Sequence, residues 1–138
     1  AMIEVTRRRL DVTKVVDSVR RDDAGAIVLF LGSVRGEKAI RALDYEVYAP
    51  MATKVFLGLV EQAKTRFHVL DLSIAHRVGR VPVGGDSVAI ACAAAHRREA
   101  FEACAWVMDE VKRIVPIWKS EPSRSSPPRR AKKTGDDR

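Results

Sequence analysis

The chain has 138 residues, 46% apolar and 31% charged, a balance that fills one hydrophobic core and excludes a disordered chain or a membrane protein. The longest uncharged run, residues 24–34, is far shorter than the roughly 20 residues a bilayer crossing needs. Of the net charge of +7, four charges fall in 122–138, where six basic residues face only Asp136 and Asp137, so the body is mildly basic and charge alone is weak evidence for nucleic acid. No basic-then-apolar leader opens the sequence, and a cytoplasmic location is expected.

Residues 2–6 read as a short strand. Leu10 and Asp11 offer a staple and an N-cap ahead of Val12, Val15, Val16 and Val19, whose helical spacing predicts a first amphipathic helix. Residues 25–34 are apolar throughout and rich in β-formers, the pattern of a central strand covered on both faces. After a polar loop, Leu43, Tyr45 and Val47 alternate with Asp44, Glu46 and Tyr48, which predicts a half-buried strand. Pro50 suits the first turn of a second helix over 51–67, with an apolar stripe of Val55, Phe56, Leu59, Val60, Ala63 and Phe67. In 69–76, Leu70, Leu72, Ile74 and His76 share one face of a strand. Residues 81–86 carry turn chemistry, and 87–95 form an apolar strand. A third helix begins at Arg97 and is stopped by Pro116. The order β α β β α β β α, with hairpin-like spacings, argues for an α+β fold with a mixed, largely antiparallel sheet and about three helices over 1–121. Residues 122–138, basic and Ser/Pro-rich with one apolar residue, Ala131, read as a disordered tail.

The third helix carries the chemistry. At ~100° per residue, Phe101, Cys104, Ala105, Met108, Val111 and Val115 mark an arc predicted to be buried, and two cations, Arg97 and Lys112, fall within it. A buried ammonium is costly. Such a side chain snorkels outward from a helix end, faces a polar cavity that holds an anion, or gives up its charge. Arg35 follows one apolar strand, His96 and Arg97 follow another, and Lys119 comes just after the helix stop. Together these groups suit a phosphate- or carboxylate-bearing substrate. Arg97 and Lys112 are 15 positions apart, about 22 Å along a helix, too far to touch one small molecule. If both serve one site, a second copy of the chain supplies one of them, which predicts a homodimer.

Other constellations exclude chemistry. His68, His76 and His96 lack metal-pair spacing, and Cys92 and Cys104, set among Ala, Val and Ile, read as reduced buried thiols, so no metal is expected. There is no phosphate-binding loop ending in Lys-Ser or Lys-Thr and no nucleophile elbow, and no cofactor is expected.

The segments Gly25-Ala-Ile-Val-Leu-Phe-Leu-Gly-Ser-Val-Arg35, Leu43-Asp-Tyr-Glu46 with Tyr48 and Met51, His76-Arg-Val-Gly79, His96-Arg-Arg-Glu-Ala-Phe-Glu-Ala-Cys104 and Lys112-Arg-Ile-Val-Pro-Ile-Trp-Lys-Ser-Glu121 resemble, in order and spacing, the large catalytic subunit of molybdopterin synthase. The resemblance implies an α/β-hammerhead fold and a central homodimer with a small ubiquitin-like sulfur-carrier subunit at each end, a heterotetramer. It implies a sulfurtransferase of molybdenum cofactor biosynthesis, in which the carrier's C-terminal Gly-Gly thiocarboxylate donates sulfur to cyclic pyranopterin monophosphate. By position it implies that Lys112 and Lys119 are catalytic and that Ser33, Arg35, His96, Arg97, Ser120 and Glu121 bind substrate, with His96 and Arg97 supplied by the neighbouring protomer. Phe30 and Met108 match residues lining the channel for the carrier's tail. Two stretches depart from the family pattern: the loop after Arg35 is short, and 122–138 lacks the aromatic and acidic residues usual there. These departures leave room for a non-catalytic dimeric scaffold that binds the carrier's tail. A nucleic-acid binder using the tail and Arg7-Arg8-Arg9 ranks well behind.

Overall fold

The computed structural model describes residues 1–37 and 39–115, and the backbone of 117–120. In chain order the elements are β1 (Ile3–Thr6), α1 (Val12–Asp17), β2 (Ala26–Ser33), β3 (Ala42–Tyr45), α2 (Ala49–Phe67), β4 (Asp71–Arg77), β5 (Gly79–Pro82), β6 (Asp86–Ala94), α3 (Arg97–Ile114) and β7 (Ile117–Ser120). The architecture is α+β with three helices, as the spacing predicts.

Four strands form the main sheet in the order β1-β4-β6-β2; β1 runs parallel to β4 and the other pairs are antiparallel. Period-2 alternation sends its side chains to two different cores. Leu72 and Ile74 of β4 and Val88, Ile90 and Cys92 of β6 lie under α2 and α3 with Phe56, Leu59 and Val107. Ala75, Ala89, Ala91 and Ala93 point the other way and meet Val15 and Val19. The alanines let α1 sit close to the sheet. Each fully buried Leu, Ile or Phe contributes about 1.5–3 kcal/mol, and that burial holds α3 in a fixed place on the sheet. Asp11 caps α1 as its sequence suggests, accepting from Lys14 N at 3.1 Å.

Three points differ from the sequence reading. First, β2 is not central: it pairs only with β6, its other edge is open among the described residues, and Ala26 to Phe30 are half-buried. Its apolar character reflects two covered faces, not two paired edges. Second, a separate antiparallel sheet, β5-β3-β7, contains two strands the pattern did not reveal. Gly79, at φ +83, turns the chain out of β4 into β5, a conformation open to glycine but strained for other residues. Third, β3 stops at Tyr45, and Tyr48 instead caps α2, whose first turn holds Pro50. The sequence-predicted tail, 122–138, and Glu121 lie outside the described residues.

Candidate functional site

The α3 helix leaves the end of β6 and runs back antiparallel to it, which makes it parallel to β2. Its C-terminal end therefore lies over the Ser33 end of β2, and its N-terminal end over the Ala26 end. The residues of α3 that pack inward are Ala100, Ala103, Cys104, Val107, Met108 and Val111. Phe101 and Ala105, expected in the buried arc, stand on its rim: Phe101 is 61% exposed and Ala105 is exposed. Arg97, also assigned to that arc, is exposed, and Lys112 is half-buried. The reason is geometric. The arc is set by which face meets both the sheet and α2, and it is rotated away from Phe101 toward the small residues Ala100 and Ala103.

Along that rim α3 and β2 enclose a groove of about 390 Å³ lined by Val28, Leu29, Phe30, Met108, Asp109 and Lys112, among others. Three of the sequence-derived site residues, Phe30, Met108 and Lys112, thus meet in one mostly apolar trough. The thiol of Cys104 also borders it, directed at Ile90 O. Burial pushes that thiol up to about 11 and Cys92 up to about 12, so both stay protonated and neither is a nucleophile.

The other candidates take different places. Ser33, at the Lys112 end of β2, donates from Oγ to Asp86 Oδ1 at 2.7 Å, and Arg35 beyond it is exposed, its Nε 3.9 Å from Glu37. Lys119 and Ser120 lie on β7, their Cα positions opposite Leu43 and Ala42. His96 caps the start of α3 and is exposed beside Arg97, at the end of the helix remote from Lys112. Within one chain, then, the cations divide between the two ends of α3.

Behind Lys112 the structure adds residues that pattern reading passed over. A second, small cavity is walled by Lys112 and Met108 of α3, Tyr45 of β3, His76 of β4 and Ser87 of β6. The His76 ring lies 5.3 Å from Tyr45 in an edge-on contact and stacks on Phe56 at 6.5 Å. Burial pulls its pKa down to about 4, with the hydrogen bond to the Arg77 carbonyl working in the opposite direction. The sequence signal was present, a histidine in phase with Leu72 and Ile74, but the pattern says only that such a residue is buried. A larger concavity of about 670 Å³, of mixed charge and bordered by Arg7, Asp44, Tyr48, Met51 and Arg80, opens on the far side of Tyr45.

Residues 5–114 match the family model described as MoaE protein. The chain belongs to the MoaE protein family. A relative from Thermoplasma volcanium, named molybdopterin synthase catalytic subunit, is 41% identical over 122 residues, covering 86% of this chain and 89% of its own. A Bacillus subtilis protein of the same name is 34% identical over 122 residues, covering 86% and 77%. Among solved structures, the molybdopterin synthase of Staphylococcus aureus superposes with a TM-score of 0.80 at 29% identity, covering 89% of this chain and 92% of that one. A Helicobacter pylori structure, a complex of subunits 1 and 2 of molybdopterin-converting factor, gives 0.77 at 25% identity, covering 94% and 90%. Family membership and α+β fold therefore agree with the resemblance read from the motifs. No helix among the described residues is long and apolar enough to cross a membrane.

Proposed function

We propose that this chain is the catalytic subunit of a molybdopterin synthase, an enzyme of molybdenum cofactor biosynthesis, and that the groove ending at Lys112 is where sulfur is transferred. A small partner subunit supplies the sulfur, in keeping with the two-subunit complex of the Helicobacter relative. The supporting observation is the convergence of Phe30, Met108 and Lys112 on one trough. An apolar trough closed by one ammonium suits an extended Gly-Gly tail, which has no side chains to exclude, while the ammonium meets the anionic thiocarboxylate. There Lys112 polarises the acyl carbonyl or exchanges a proton as sulfur attacks cyclic pyranopterin monophosphate. Two such transfers complete the dithiolene, water hydrolysing the acyl–sulfur bond in each to leave the sulfur on the pterin and a carboxylate on the carrier.

Arg35, Ser33, Lys119, Ser120 and Glu121 bind the substrate, while His96 and Arg97 reach this pocket from a second copy. The separation of about 22 Å along α3 keeps Arg97 and Lys112 of one chain from meeting at one small molecule. The open edge of β2, with Leu31 37% exposed, and the exposed Phe101 form the apolar surface such a dimer covers. With a carrier at each end the assembly is a heterotetramer in the cytoplasm.

The test combines the purified chain, thiocarboxylated carrier and pterin precursor, with dithiolene product measured over time. Product forms with the parent chain. Lys112→Ala lowers its rate at least about a hundredfold, the scale of a lost acid–base or charge-stabilising group, and leaves carrier binding intact. Undiminished turnover by that variant removes Lys112 from the mechanism. Carrier binding without product in the parent makes the chain a scaffold.

A further inference from the structure

His76 is 3% exposed, and its single hydrogen bond among the described residues runs from Nδ1 to the Arg77 carbonyl at 2.8 Å. A carbonyl only accepts, so Nδ1 carries the proton and Nε2 is left as a bare acceptor. A buried acceptor without a partner is costly. The ring also lines the small cavity that Lys112 lines. That cavity measures about 10 Å³, room for a single water, and Tyr45 and Ser87 complete its polar lining.

We infer that His76 is a positioning residue for Lys112: its Nε2 receives a hydrogen bond from the lysine ammonium, relayed by one water in this cavity, and so holds the ammonium at the end of the groove. This rests on the sulfur-transfer reading of Lys112. A flexible four-carbon stem gives lysine little orientation of its own, so a fixed acceptor at the cavity adds direction to the ammonium. A neutral imidazole is the right back wall, since it accepts without repelling a cation. The other titratable groups that line the groove or the cavity with Lys112, among the described residues, are Asp109 on its own helix, the Cys104 thiol and Tyr45 on β3.

The experiment is ¹⁵N NMR of the histidine rings in the full-length chain, parent against Lys112→Met, which keeps the stem and removes the donor. The expected result is a His76 Nε2 resonance of the unprotonated form that moves toward the free-acceptor position in the variant, with His68 and His96 unchanged. An unmoved resonance, or a proton on Nε2 in the parent, overturns the inference. This readout needs no substrate, so it stands or falls apart from the proposed reaction. In turnover, His76→Phe lowers kcat about tenfold with KM unchanged, and His76→Gln, whose amide oxygen can accept, restores most of it. Equal kcat in all three proteins also overturns the inference, and should His76→Phe not fold, Lys112→Met decides alone.

Discussion

Lowering the pH destabilises this protein through His76, and the cost can be worked from the structure. The ring is almost fully buried between Tyr45 and Phe56, and its pKa falls from the ordinary 6.5 to about 4, chiefly through lost hydration. A base whose folded-state pKa is depressed is neutral in the fold while the unfolded chain already takes up a proton. Its contribution is therefore whole above pH 6.5 and is lost as pH falls toward 4. Each pH unit in that window removes about 1.4 kcal/mol, so going from about pH 7.5 to 4.5 removes about 3 kcal/mol. That is a large share of the roughly 5–15 kcal/mol that holds a domain of this size together. The assay is urea unfolding at both pH values for the parent and for His76→Gln, which does not titrate. Carboxylates such as Asp71, paired with the N-terminal ammonium at 2.8 Å, act in both proteins and cancel in the comparison. The parent loses about 3 kcal/mol more than the variant. Parallel losses, within about 0.5 kcal/mol, would refute the neutral buried histidine.

Further expectations follow from burial. Leu31→Glu places a charge on the open edge of β2 and is expected to convert the proposed dimer to a folded monomer in sedimentation; a variant that still sediments as a dimer puts the interface elsewhere. Cys92 and Cys104, with thiols pushed up by burial, resist alkylation by iodoacetamide in the native chain and react in urea, read by mass spectrometry. Rapid native labelling of either would contradict their placement. Ile90→Ala, at a fully buried position between α3 and the sheet, costs about 2–5 kcal/mol in unfolding free energy.

The sequence by itself determined the helices and most strands of the main sheet, because their periods repeat over enough residues to outweigh local accidents. Asp11 and Pro50 marked the starts of α1 and α2, and Leu72, Ile74 and His76 shared a face as their spacing required. The resemblance also pointed to Phe30, Met108 and Lys112, and the fold brings these three to one groove. Tertiary structure alone decided the remainder. β5 and β7 are four residues each, one bounded by Gly79 and Pro82, and they exist as strands because β3 offers both of its edges for pairing. The rim of α3, the exposure of Arg97 and the open edge of β2 depend on which neighbours cover a face, whereas periodicity records only that residues share one. His76 shows the same divide. Its burial was written in the alternation of β4, but its place at one small cavity with Lys112 arises only where β3, β4, β6 and α3 come together.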